Sequence, residues 1–169
     1  MTWPFVQNMG EVFSELCLKL DQWMARENVH ARAEGTPTHE KCTIRVLGQA
    51  ALFIAELELT LTATQDLDAY ADYDWAVQQE LERLLAKEGK VLDPRGHEIW
   101  MPRETQYAPL YEGTYVDAFV ADPDAVLISK ACKAPEKNKA LIIEYLAKGA
   151  SKRFFGLGTK YAIDLEQFV

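Results

Sequence analysis

Phe5, Met9, Val12, Phe13, Leu16, Leu20 and Trp23 recur at spacings of three and four. That period places them on one stripe of a helix, and Thr2 and Pro4 suit its start, so the pattern predicts an amphipathic helix over residues 2–27. The stripe is expected to pack a core, or else to meet a second copy or a partner protein. Residues 28–40 are polar, contain Gly35 and Pro37, and read as a loop. Cys42 to Leu47 reads as a strand broken by Gly48. Ala51, Phe53, Ile54, Leu57 and Leu61 would bury one side of a helix over Ala50 to Leu61. Thr64 to Ala69 reads as the next strand. Asp74 suits the cap of a helix running through Lys87, with Gly89 beyond its end.

From residue 90 to 121 the pattern shortens. Turn signals at Pro94-Arg95-Gly96 and Glu112-Gly113 separate short stretches, His97–Met101, Thr105–Tyr111 and Tyr115–Val120, expected to be antiparallel strands. Asp122-Pro123-Asp124 is a helix start, with Asp122 as cap and Pro123 at the first helical position. Pro135 interrupts, a helix resumes from Glu136 to Lys148, and the pattern after Ser151 is weak. The order is a long helix, strand–helix–strand–helix, short strands, then helices. It predicts an α+β (α/β-like) domain around a small mixed sheet flanked by helices.

Composition narrows the function. The 169 residues suffice for one domain with a real core, taken as residues 1–169, with a core at about 42–147 and a helical tail over 148–169. A formal net charge of −8 argues against broad nucleic-acid binding, while leaving room for a small phosphorylated substrate held by a few lysines and a metal. Cys17, Cys42 and Cys132 form neither a disulfide framework nor a zinc spacing and read as free thiols of a reducing compartment. No apolar run approaches a membrane span, and the N-terminal stretch lacks the basic start of a signal peptide. A cytoplasmic protein is expected.

The candidate chemistry starts at Thr64-Gln65-Asp66-Leu67-Asp68. On a strand, residues two apart share a face, so Asp66 and Asp68 project together while Leu67 and Ala69 face a core. Two adjacent carboxylates repel, and a divalent cation is the usual offset. Upstream, Val46-Leu47-Gly48-Gln49-Ala50-Ala51-Leu52 reads as a strand end, a glycine turn and a helix start. There, backbone N–H groups can approach a polyphosphate and the helix offers its positive end. Taken alone, the carboxylates also fit a solvated strand end, and Lys130 and Lys133 the exposed face of a helix. His30, His39 and His97 share no metal or catalytic spacing and read as surface residues.

The combination Gly48-Gln49-Ala50-Ala51-Leu52 followed by Asp66-Leu67-Asp68 resembles the nucleotidyltransferase fold of the DNA-polymerase-beta type. It is similar to bacterial minimal nucleotidyltransferases, including toxin-type members of abortive-infection and toxin–antitoxin systems. The resemblance spans roughly residues 42–147. It implies a third acid, matched by Asp117 in Val116-Asp117-Ala118-Phe119, and a lysine-bearing helix, matched by Asp124–Lys130. What it implies in function is Mg²⁺ (or Mn²⁺) held by Asp66, Asp68 and Asp117. An NTP would be held at Gly48, Gln49, Lys130 and Lys133, and a nucleoside monophosphate would pass to a hydroxyl of a protein, an RNA or a small molecule. Two departures stand out. Gln49 occupies a position where the family usually has Gly or Ser, and Lys137-Asn138-Lys139-Ala140 replaces a stretch that often carries an Arg and Asp pair. They open a second expectation, a retained fold without activity, serving as a binding or regulatory module such as a toxin–antitoxin component. A phosphatase with an aspartyl nucleophile fits less well, because a helix and a glycine turn precede the pair.

Overall fold

The computed structural model describes residues 9–57, 59–61, 66–93 and 95–169. Among them are six α-helices and a five-stranded mixed sheet: α1 (Met9–Glu34), β1 (Cys42–Val46), α2 (Gly48–Ile54), β2 (Asp66–Ala71), α3 (Trp75–Lys87), β3 (Val91–Asp93), β4 (Tyr107–Glu112), β5 (Val116–Ala121), α4 (Pro123–Lys133), α5 (Lys139–Ala147) and α6 (Lys152–Lys160). Short 3-10 turns cover Gly96–Glu98 and Leu165–Phe168. The α+β expectation holds at this level. No described helix is long and apolar enough to cross a membrane.

The sheet order is β3-β2-β1-β5-β4. β1 runs antiparallel to β2 and parallel to β5, and β2 runs parallel to β3. The short strands after residue 90 are therefore not one antiparallel set; only β4 and β5 pair that way. His97–Met101 is not a strand. It begins in the 3-10 turn, because Gly96 lies directly on the backbone of Ala69, where an added Cβ would stand 1.9 Å from the carbonyl oxygen.

One face of the sheet is the core. Cys42, Ile44 and Val46 alternate inward from β1, Leu67 and Ala69 from β2, and Val116 and Ala118 from β5. They meet the stripe of α1, whose Phe13, Leu16, Cys17, Leu20 and Met24 are buried. The stripe is thus core, and Leu18 and Val29 are its exposed apolar neighbours. Met1 to Asn8, including Thr2, Pro4 and Phe5, lie outside the described residues. The helix passes through the expected loop to Glu34, since nothing before Gly35 breaks it, and Gly35 ends it with φ +70°. Along that extension Asn28 is buried and exchanges two hydrogen bonds with the backbone of His39. His39 is more engaged than a surface residue: its ring stacks on Trp23, and its Nδ1 lies 2.6 Å from Asp74 Oδ2.

Two helix starts follow the expected caps: Asp74 accepts from Val77 N–H and Asp122 from Ala125 N–H. Ser151, where the sequence pattern is weak, accepts from Phe154 N–H at the start of α6. α2 is shorter than expected. It ends at Ile54, and Glu56 follows with φ +54°. α5 begins at Lys139, later than the expected Glu136.

Asp21 pins α1 to the β4–β5 hairpin. It is 8% exposed and accepts from Tyr111 O–H (2.6 Å), Thr114 N–H (3.1 Å) and Tyr115 N–H (2.7 Å). Asp21→Ala would strand three donors, so we expect it to destabilise the fold by about 2–3 kcal/mol in urea unfolding. Asp21→Asn, which retains one acceptor oxygen, should cost less.

Candidate functional site

The site forms where β1 ends and β2 begins. Leu47 N–H donates to the carbonyl of Asp68 at 2.8 Å, which sets the Asp68 side chain beside the turn. Gly48 has φ +61°, and a Cβ there would stand 2.3 Å from Asp68 Oδ2. Only glycine both adopts that backbone and leaves the carboxylate its place. Thr64 and Gln65 lie outside the described residues. Asp66 is exposed and Asp68 half-buried, both on the face opposite Leu67, as the alternation requires.

The acid that joins Asp68 is Asp93. Parallel pairing sets Asp68 against Asp93, and the two carboxyls are hydrogen-bonded to each other. Burial, then the neighbouring charge of Asp93, pushes the Asp68 carboxyl up, and Lys130 partly offsets this. Asp93 is held below the usual carboxylate range, chiefly by the Arg95 N–H donated to it at 2.9 Å, with the Arg95 guanidinium adding to the effect. Asp68 is thus the member of the pair whose carboxyl gives up its proton less readily. Burial pulls the Lys130 ammonium down, and Asp68 opposes that shift.

Asp117 is not brought to this group. It stands opposite Thr43 on β5, while Asp68 stands level with Leu47, four residues further along β1. That separation is about 13 Å along the strands, plus two strand spacings across. Asp117 instead pairs with Lys41 at 3.0 Å and accepts from Gly113 N–H at 3.3 Å. The expectation of a third acid at residue 117 is corrected on this register: the parallel β1–β5 pairing carries it to the far end of the sheet.

A cleft of about 530 Å³ opens over the acids, lined by Gln49, Asp66, Asp68, Asp93, Arg95 and Lys130, with Thr60, Lys137, Asn138, Ala140 and Leu141 completing its far wall. A smaller chamber of about 190 Å³ adjoins it, with Gly48, Lys130, Lys133 and Lys137 around apolar Ile99, Met101 and Val126. Asp68, Lys130, Lys137 and Asn138 line both spaces. Lys133 also lies 5.2 Å from the centroid of the Trp100 ring, which holds the ammonium at the chamber's rim. Gly48, Gln49, Lys130 and Lys133 thus line these two adjoining spaces, Lys130 facing both. Asp93, Arg95, Lys137 and Asn138 join them without a signal in their spacing. Asp93 could have been suspected, as the last residue of an alternating Val91-Leu92-Asp93 before a turn, and Lys137 and Asn138 stand in the stretch that departs from the resembled family.

Hard carboxylate oxygens that repel one another suit a divalent ion of the Mg²⁺ class. Among the described residues, however, no group of three His, Cys, Asp or Glu is placed to hold a metal by itself. The arrangement is two hydrogen-bonded carboxyls, Asp68 and Asp93, with Asp66 lining the same cleft. The raised Asp68 also sets a pH dependence. Below about pH 4 the group is protonated in both folded and unfolded chains. As pH rises, the unfolded chain ionises first, so the Asp68 contribution to stability is lost as pH passes through the raised value. Thermal melts of wild type and Asp68→Asn in chelator should therefore diverge with rising pH, the variant gaining relative stability, and level off once Asp68 is ionised.

Compared with protein-family models, with curated proteins and with solved structures, the chain matches none of them.

Proposed function

We propose that the protein is a Mg²⁺-dependent nucleotidyltransferase of the DNA-polymerase-beta type of fold, moving a nucleoside monophosphate from an NTP to a hydroxyl acceptor. The observation that carries this reading is the Asp68–Asp93 pair set against the Gly48 turn, with Lys130 across the cleft. Antiparallel β1 and β2, joined through a glycine turn and a helix, support the fold assignment.

The residues divide the work by charge. Lys130, Lys133 and Lys137 present cations to the polyphosphate in the smaller chamber. Gly48 removes the side chain that would keep phosphates from the turn. Asp68 and Asp93 would hold the ion, with Asp66 at the mouth. When bound, the ion stabilises charge on the phosphoryl oxygens and on the attacking and leaving groups. Taking it up requires ionised carboxylates, and the Asp68 carboxyl is pushed up, so binding is expected to weaken in acid. The three free thiols and the lack, among the described residues, of a membrane-crossing helix suit a cytoplasmic setting.

A second reading is a binding or regulatory module that keeps the fold without transfer activity, such as a toxin–antitoxin component. That no three acids among the described residues are placed to hold a metal together, and that the Gln49 side chain lines the cleft, favour it. Thermal melts with each NTP and Mg²⁺ or Mn²⁺ test both. Saturation at about 100 times Kd stabilises by about 2.7 kcal/mol, a rise of roughly 5–10 °C for a chain of this size. No shift with any NTP and either ion would sink the enzyme and favour the regulatory module. A shift without release of pyrophosphate, across protein, RNA and small hydroxyl acceptors, would leave the module.

A further inference from the structure

We infer that Asn138 reads the nucleobase, accepting a hydrogen bond from the exocyclic amine of adenine or cytosine. This rests on the nucleotide reading above and adds where the base lies and what it is read by.

The two joined spaces differ in chemistry. The smaller has three lysines and the glycine turn, which suit phosphates. On the far wall of the larger, Ala140 and Leu141 of α5 offer, among polar neighbours, apolar surface of the kind on which a flat ring lies. That wall is braced: Glu144 accepts from both the N–H (2.8 Å) and the hydroxyl (3.2 Å) of Thr60. A nucleotide with its phosphates toward Lys130 and its base toward Leu141 passes Asn138, which lines both spaces.

The Asn138 amide is oriented. Its Nδ2 donates to the carbonyl of Ala134 at 3.0 Å. A carbonyl accepts only from the NH₂ end, so the assignment of nitrogen and oxygen follows from chemistry. Oδ1 is left as the end available to a ligand, and it is an acceptor only. It attracts an amine and repels a carbonyl at the same position of the ring. Adenine and hypoxanthine differ in this way, as do cytosine and uracil, at nearly constant size. A site built around one hydrogen bond rejects the isostere lacking it more sharply than an apolar pocket rejects a change of size.

Calorimetric titration of the full chain tests this, with Mg²⁺ salts of ATP against ITP and of CTP against UTP. The expected result is that ATP and CTP bind roughly tenfold tighter than their partners. Asn138→Ala should bring each ratio to within about twofold while the amine-free nucleotides keep their affinity. If wild type binds all four nucleotides equally, the inference fails and the nucleotide reading stands. Discrimination that survives Asn138→Ala also overturns it, since another group then reads the base. If none of the four binds, the nucleotide reading itself fails and takes the inference with it.

Discussion

Replacing Gly96 with alanine is expected to lower the stability of the protein by about 3 kcal/mol or more, a fall in Tm of roughly 6–12 °C. The new Cβ would stand 1.9 Å from the carbonyl oxygen of Ala69, 2.6 Å from its carbon and 2.8 Å from its nitrogen. Real Cβ atoms do not approach backbone so closely, and a central strand does not yield as the tip of a side chain does. Either β2 bends or the 3-10 turn lifts away. Lifting would carry with it the end of β3, and so Asp93, whose carboxyl accepts from Arg95 N–H one residue before Gly96. The damage should therefore reach the cleft as well as the melting curve. Gly156→Ala is the matched control. It lies inside α6 with nothing within 4 Å of the new atom, and should stabilise by roughly 0.5–1 kcal/mol. Urea unfolding of the three proteins measures both effects. A Gly96→Ala variant as stable as wild type would mean that the turn does not rest on β2.

If the proposed transfer reaction is the protein's activity, Asp68→Asn is expected to reduce it on the order of 10²- to 10³-fold, with Asp93→Asn close behind and Asp117→Asn within a few-fold of wild type. The ordering follows from position. Asp68 touches Gly48 and Asp93, whereas Asp117 is committed to Lys41 at the other end of the sheet. The same Asp68→Asn change should raise the stability of the ion-free protein at neutral pH, because it removes a charge that burial and Asp93 both disfavour. Gain of stability with loss of activity marks a carboxylate kept for its chemistry; loss of both would mark a structural one. Single-turnover rates with Mg²⁺, set beside melts in chelator, separate the two outcomes. An Asp117→Asn variant as impaired as Asp68→Asn would contradict the register drawn for β5.

Much of the architecture was legible because it is written locally. The stripe Phe13, Leu16, Leu20 buries one side of α1 by its period alone. Asp74 and Asp122 cap helices because a carboxylate three residues before an N–H satisfies a donor the helix cannot. The alternation around Leu67 aims Asp66 and Asp68 away from the core. Local pattern misjudged α1 as ending near residue 27, since polar residues there suggested a loop. They remain helical because Asn28 finds its partners in His39, a contact made only once the chain turns back.

What the sequence determined by itself was therefore the type of most elements, the caps at Asp74 and Asp122, the mixed α+β character, and the glycine turn set before an acidic pair. Tertiary structure alone decided which acid becomes the neighbour of Asp68. Asp93 and Asp117 each alternate on a short strand, and neither spacing prefers one over the other. The choice was made by strand partnership: β3 joins β2 and brings residue 93 alongside, while β5 joins β1 in parallel and carries residue 117 away. Backbone hydrogen bonds between strands distant along the chain set that order, and no periodicity within a strand encodes which edge it will meet.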